Sequence, residues 1–110
     1  MDPGLSNQKS KMWYTIISED LENDLELRAK VRKEHIAYLK ALVDTGRLLT
    51  AGPQPAVDAD NPGSAGFTGS LIVADFPSLN DAKAWADADP YVKAGLHKKV
   101  IVKPYKRVLP

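Results

Sequence analysis

Apolar positions along this chain switch between a period of two and a period near 3.6, and the switches outline its elements. Met12 to Ser18 (Met-Trp-Tyr-Thr-Ile-Ile-Ser) is β-branched and aromatic, which predicts a first strand. Val31, His35, Tyr38 and Leu42 then recur at i, i+4, i+7 and i+11, one face of a helix. Asn23 or Asp24 is placed to cap it, Glu26 falls in its first turn, and Gly46 suits the position past its end. Leu48 to Val57 reads as extended but is interrupted by Gly52-Pro53 and Pro55, so it predicts a bent or edge strand. A loop rich in Pro, Gly, Asp and Ala follows through Gly66, and Phe67 to Phe76 predicts a third strand. Ser78-Leu-Asn-Asp81 has the serine-x-x-acid pattern of a helix start before Ala82, Trp85 and Ala86; Gly95 closes that region and Lys98 to Val108 predicts a fourth strand.

The order is βαββαβ, and both halves share one plan of strand, helix, terminal glycine (Gly46, Gly95) and strand. That plan predicts an α+β fold, a ferredoxin-like sandwich whose four-stranded antiparallel sheet carries two helices on one face. Phe67, Leu71 and Val73 alternate with Ile72, Ala74 and Phe76, so the third strand is apolar on both sides. The face without helices needs a cover, and a second copy of the chain is the simplest one, giving a homodimer.

Composition narrows the classes of function. The 110 residues are 44% hydrophobic and 26% charged, enough for a single core, and 15 basic against 14 acidic residues leave a net charge of +1. Such a balance gives no global field toward nucleic acid or an anionic membrane. Cysteine is absent, which removes disulfides, thiolate nucleophiles, iron–sulfur clusters and cysteine zinc sites. Met1 to Lys11 is polar and has no signal-peptide core, and no apolar run approaches the ~18 residues of a membrane span. The expectation is a cytoplasmic protein with a polar extension or expression remnant over residues 1–11 and one domain over 12–110.

His35 is the polar residue in the middle of an apolar stripe, so its ring is either a hydrogen-bonded core group or one held for chemistry. Asp89 can orient and charge-stabilise a histidine; equally, Asp89-Pro90 is an ordinary N-cap with proline at the first helical position. Arg28 and Arg32 precede His35 on the helix and flank its face, where a guanidinium suits a carboxylate or phenolate, or simply faces solvent. Gly52 permits close backbone approach to a ligand or a bend, Ser70 offers a hydroxyl from a strand or a sheet position, and Tyr91 caps a pocket or packs.

Arg28-x-x-x-Arg32-x-x-His35, Gly46-Arg-Leu-Leu-Thr-Ala-Gly-Pro53, Gly66-Phe-Thr-Gly-Ser70, Ala84-Trp-Ala-Asp-Ala-Asp-Pro-Tyr91 and Ala94-Gly95 together resemble the YciI-like (YCII-related) family, over Met12 to Val108. The resemblance implies a dimeric α+β barrel and a His–Asp dyad, which maps onto His35 and Asp89. A related enzyme of that group eliminates chloride from a chlorinated hydroxyhydroquinone, and muconolactone isomerases share the wider superfamily. The chemistry implied is lyase- or isomerase-like proton transfer on a small cyclic or aromatic molecule; the alternative is a non-catalytic metabolite-binding or accessory dimer.

Other chemistries find less support. Two histidines without a ligand-spaced partner do not make a metal site, His97 beside Lys98 and Lys99 is expected to be exposed, and no motif supports haem, so no cofactor is expected. Gly66-Phe-Thr-Gly69 faintly matches an RNA-binding signature, but Ser70, Leu71, Ile72 and Val73 stand where stacking aromatics are required. Lysines near the C-terminus fit protection of an edge strand.

Overall fold

The structure, a computed structural model, describes residues 11–20 and 24–110. Residues 1–10 of the polar extension and the alternative cap Asn23 lie outside the described residues. The elements run β1 (Trp13–Asp20), α1 (Leu25–Asp44), β2 (Leu48–Pro55), β3 (Phe67–Asp75), α2 (Leu79–Asp87), α3 (Pro90–Lys93) and β4 (His97–Tyr105), with a 3-10 turn at Gly63–Ala65. The sheet order is β2-β3-β1-β4 with every pair antiparallel, the split βαβ arrangement expected of an α+β sandwich. Pro53, Pro55 and Pro104, which cannot donate to a ladder, all fall on the two edge strands. β2 stops at Pro55 instead of reaching Val57, and β4 covers His97–Tyr105 instead of Lys98–Val108.

Local chemistry sets the helix starts. Asp24 Oδ1 accepts the Leu27 amide at 2.9 Å, and Ser78 Oγ accepts the Asp81 amide at 3.1 Å while donating to Asp81 Oδ2 at 2.9 Å. Both helices lie on the face that carries Tyr14, Ile16, Ile72, Ala74 and Phe76, against Leu39 and Leu42 of α1 and Ala82 and Ala86 of α2. The two alanines let α2 sit close to the sheet, and each large apolar side chain in this layer contributes about 1.5–3 kcal/mol by leaving water. Among the described residues no helix is long and apolar enough to cross a membrane.

Two expected facings need correction. The buried stripe of α1 is Arg28, His35, Leu39 and Leu42, whereas Val31 and Tyr38 are half-buried at its margin, where Tyr38 stacks on Trp85 at 4.6 Å and donates to the Trp85 carbonyl at 2.7 Å. Phe67 belongs with Ser70 and Ile72 on the helix side, not with Leu71 and Val73. The cause is a bulge: Gln54 pairs with Gly69 and Pro55 with Phe67, so Thr68 is an extra residue that reverses the alternation. The opposite face remains apolar through Trp13, Ile17, Leu71, Val73 and Ile101; Ile17 is 36% exposed there, and Trp13 lies beneath the cations of Lys11 and Arg107.

Candidate functional site

α1 stands off the sheet at its N-terminal half, and a pocket of about 400 Å³ opens between it and β2–β3. Ile36 and Leu39 of α1, Pro53 of β2, and Phe67 and Ile72 of β3 give it apolar walls. Six of the seven site residues expected from the sequence line it: Arg28, Arg32, His35, Gly52, Ser70 and Tyr91. Asp89 lies behind His35 and reaches the pocket only through that ring.

Asp89 is the N-cap of α3, and its Oδ1 accepts both the Tyr91 amide at 2.9 Å and His35 Nδ1 at 2.8 Å. The cap and the histidine partner are therefore one group, because one carboxylate oxygen has lone pairs for both. An ionised carboxylate only accepts, so Nδ1 of His35 carries the proton, leaving the Nε2 lone pair without a partner among the described residues. Tyr91 stacks flat on the imidazole, with centroids 3.9 Å apart and planes 16° apart. His35 and Asp89 are 7% and 3% exposed, so the pair works in a largely dry environment open only toward the pocket.

The two arginines differ. Arg32 is exposed at the pocket rim and forms no ion pair with a described residue. Arg28 is buried, its Nη2 bonded to both oxygens of Asp20 at 2.9 and 3.1 Å and its guanidinium 5.2 Å from the ring centres of Phe67 and Tyr91. Ser70 occupies a sheet position and also faces the pocket, where its buried Oγ has no hydrogen-bond partner. Gly52 lines the pocket, and an added Cβ there would meet no described atom within 4 Å.

His97 is not exposed; its side chain is 1% accessible and its Nδ1 donates to Asp20 Oδ1 at 3.1 Å. Its lysine neighbours were a poor guide, because a register shift between Glu19 and Asp20, which pair with Lys99 and His97, interrupts the alternation at Lys98. Neither Asp20 nor His97 figured among the candidates, and a charged residue ending an alternating strand was the available signal for Asp20. Burial raises the phenols of Tyr91, against Arg28 and Arg32, and of Tyr38, with help from Asp89, so both stay neutral hydroxyls.

Burial also pushes the His97 imidazole below its ordinary value of 6.5, outweighing the opposing hydrogen bond and charge of Asp20 and the charge of Asp89, while Arg28 adds to the depression. The unfolded chain thus binds a proton at pH values where the native chain does not. The stability linked to His97 is present above about pH 6.5 and is lost as pH falls through the native value. Urea midpoints at pH 7.5 and 5.5 are expected to fall on acidification, with a smaller fall in His97→Phe. An equal fall in both proteins removes His97 as the cause.

A family model for the YCII-related domain matches residues 12–106. Protein YciI of Escherichia coli is 58% identical over 97 residues, covering 88% of this chain and 99% of that protein. An uncharacterized protein of Haemophilus influenzae is 55% identical over the same extent. Among solved structures, 5-chloro-2-hydroxyhydroquinone dehydrochlorinase of Burkholderia phenoliruptrix, in complex with 2,5-dihydroxybenzoquinone, is similar with a TM-score of 0.77 and 26% identity, covering 88% of this chain and 96% of that one. The pattern of motifs, the fold and the extent of these matches agree: the chain belongs to the YCII-related domain family.

Proposed function

We propose that this protein is a cytoplasmic enzyme that moves a proton on a small cyclic or aromatic substrate carrying acidic oxygens, with His35 as the base and Asp89 as its orienting partner. The observation that carries this reading is the 2.8 Å bond from His35 Nδ1 to Asp89, which directs the basic nitrogen away from the carboxylate and toward the pocket. Apolar walls accept a ring, and Arg32 at the rim meets a phenolate or carboxylate. His35 takes the proton at Nε2, the imidazolium is stabilised by Asp89 and the face of Tyr91, and the proton returns to substrate or leaves with the departing group. The dehydrochlorinase of similar fold supports this class of chemistry.

A second copy covering Ile17, Leu71 and Ile101 completes the reading as a homodimer, since this face is apolar and carries no helix among the described residues. Titration with 2,5-dihydroxybenzoquinone followed by visible absorbance tests the site, together with chloride release from 5-chloro-2-hydroxyhydroquinone. Saturable binding is expected, with turnover reduced at least about a hundredfold in His35→Ala, in a species that sediments at twice the chain mass. Binding without turnover favours the metabolite-binding alternative, and equal behaviour of wild type and His35→Ala ends the proposal.

A further inference from the structure

The Asp20–His97 pair lies outside the pocket lining and takes no part in the proton transfer described above, yet it is the most completely buried ionic group of the chain's described residues. We infer that Asp20 and His97 are positioning residues, which together hold the Arg28 guanidinium at the pocket wall as an anchor for a ligand oxyanion. The inference rests on the reading of this pocket as an oxyanion-binding site.

The geometry is asymmetric. A free arginine–carboxylate pair favours a fork in which two nitrogens meet two oxygens. Here one nitrogen, Nη2, meets both oxygens of Asp20, at 2.9 and 3.1 Å. The Tyr91 hydroxyl also meets the Arg28 side chain, and Arg28 itself lines the pocket. What prevents the pair from rotating into the fork is the rest of the cluster. His97 Nδ1 occupies Asp20 Oδ1 from the far side at 3.1 Å, which fixes the carboxylate plane. The rings of Phe67 and Tyr91, each centred 5.2 Å from the guanidinium carbon, fix the other partner. Tyr91 also packs edge-on against His97 at 5.6 Å, so one ring braces both ends of the network.

His97 performs this as a neutral group, since its burial disfavours the charged ring. That matters for the choice of variant. Asp20→Asn removes a negative charge beside the pocket and by that alone would tighten an anion, so it is unsuited to an affinity test. His97→Phe keeps the net charge and an aromatic ring, slightly larger, and removes both ring nitrogens, of which Nδ1 is the one bonded to Asp20.

The test has two readouts on the full-length chain. Nitrogen-15 exchange spectra of the Arg28 side chain are expected to show separate, slowly exchanging Nη signals in the wild type, faster exchange in His97→Phe and averaging in Asp20→Asn. The affinity of 2,5-dihydroxybenzoquinone is expected to fall about tenfold in His97→Phe, the value of one oriented charge-assisted hydrogen bond. Equal exchange rates in all three proteins, or unchanged affinity in His97→Phe with the wild type binding well, overturn the inference. If the wild type does not bind the quinone, the reading of the pocket fails, and the exchange rates alone decide the positioning: slow only in the wild type supports it, equal rates overturn it.

Discussion

Asp89→Ala is expected to cost about 3 kcal/mol of stability and to leave the His35 ring without a fixed tautomer. The carboxylate is 3% exposed and accepts two hydrogen bonds through one oxygen, from His35 Nδ1 and the Tyr91 amide. Losing the N-cap of α3 costs about 1 kcal/mol, and leaving a buried N–H donor unpaired costs about 1–3 kcal/mol more. Asp89→Asn separates the two roles. Its amide oxygen can still cap Tyr91, so stability is largely retained, but the amide can donate to His35 as well as accept from it, and the charge that favours an imidazolium is gone. Nitrogen-15 shifts of the His35 ring are expected to report one tautomer, with the proton on Nδ1, in the wild type and a mixture in Asp89→Asn. Urea unfolding of the alanine variant supplies the energetic half. A single unchanged tautomer in the asparagine variant, or an alanine variant within about 0.5 kcal/mol of wild type, is incompatible with this account.

The residues that were legible in the sequence share a physical trait: each breaks a pattern that its element sets up. His35 interrupts an apolar helical stripe, and Asp89 precedes a proline at a helix start, so each stood out locally, but it took the family resemblance to pair them. The βαββαβ order followed in the same way, because strand and helix periods alternate with terminal glycines between them. Arg28 was harder, since nothing local distinguishes a guanidinium that meets solvent from one that meets Asp20 and two ring faces. His97 was misread because a register shift at Lys98 interrupts the alternation that its lysine neighbours were used to read. Phe67 was misplaced because a bulge, which depends on the pairing partner, reverses alternation without leaving a mark in a single strand's sequence. Local patterns thus singled out His35 and Asp89 one at a time, whereas the network around Arg28 depends on three separate strands and two helices meeting.

Gly69→Ala is expected to be the most damaging single methyl in the sheet, at about 3 kcal/mol, and to weaken the pocket with it. Gly69 follows the bulged Thr68 and pairs with Glu19 of β1, and its φ is not positive, so what it supplies is space and not conformational freedom. A Cβ there would overlap the Ser18 carbonyl oxygen and lie 2.9 Å from the Ser18 carbonyl carbon and 3.2 Å from Glu19 Cα. All three atoms are backbone, so no side chain can rotate away and the strands themselves must part. The next pair in the ladder is Ser18 with Ser70, and the bulge beside it is what turns Phe67 toward Arg28. Separation of β1 from β3 therefore moves both Ser70 at the pocket wall and the ring that braces its guanidinium. Gly52→Ala is the informative control: it also lines the pocket, but an added Cβ meets nothing within 4 Å, so its cost is expected to stay within about 0.5 kcal/mol. Chemical unfolding of the two variants, with quinone titration of each, measures both effects. If Gly69→Ala unfolds with the wild-type midpoint, or Gly52→Ala costs as much, close strand approach at Gly69 is not what shapes this site.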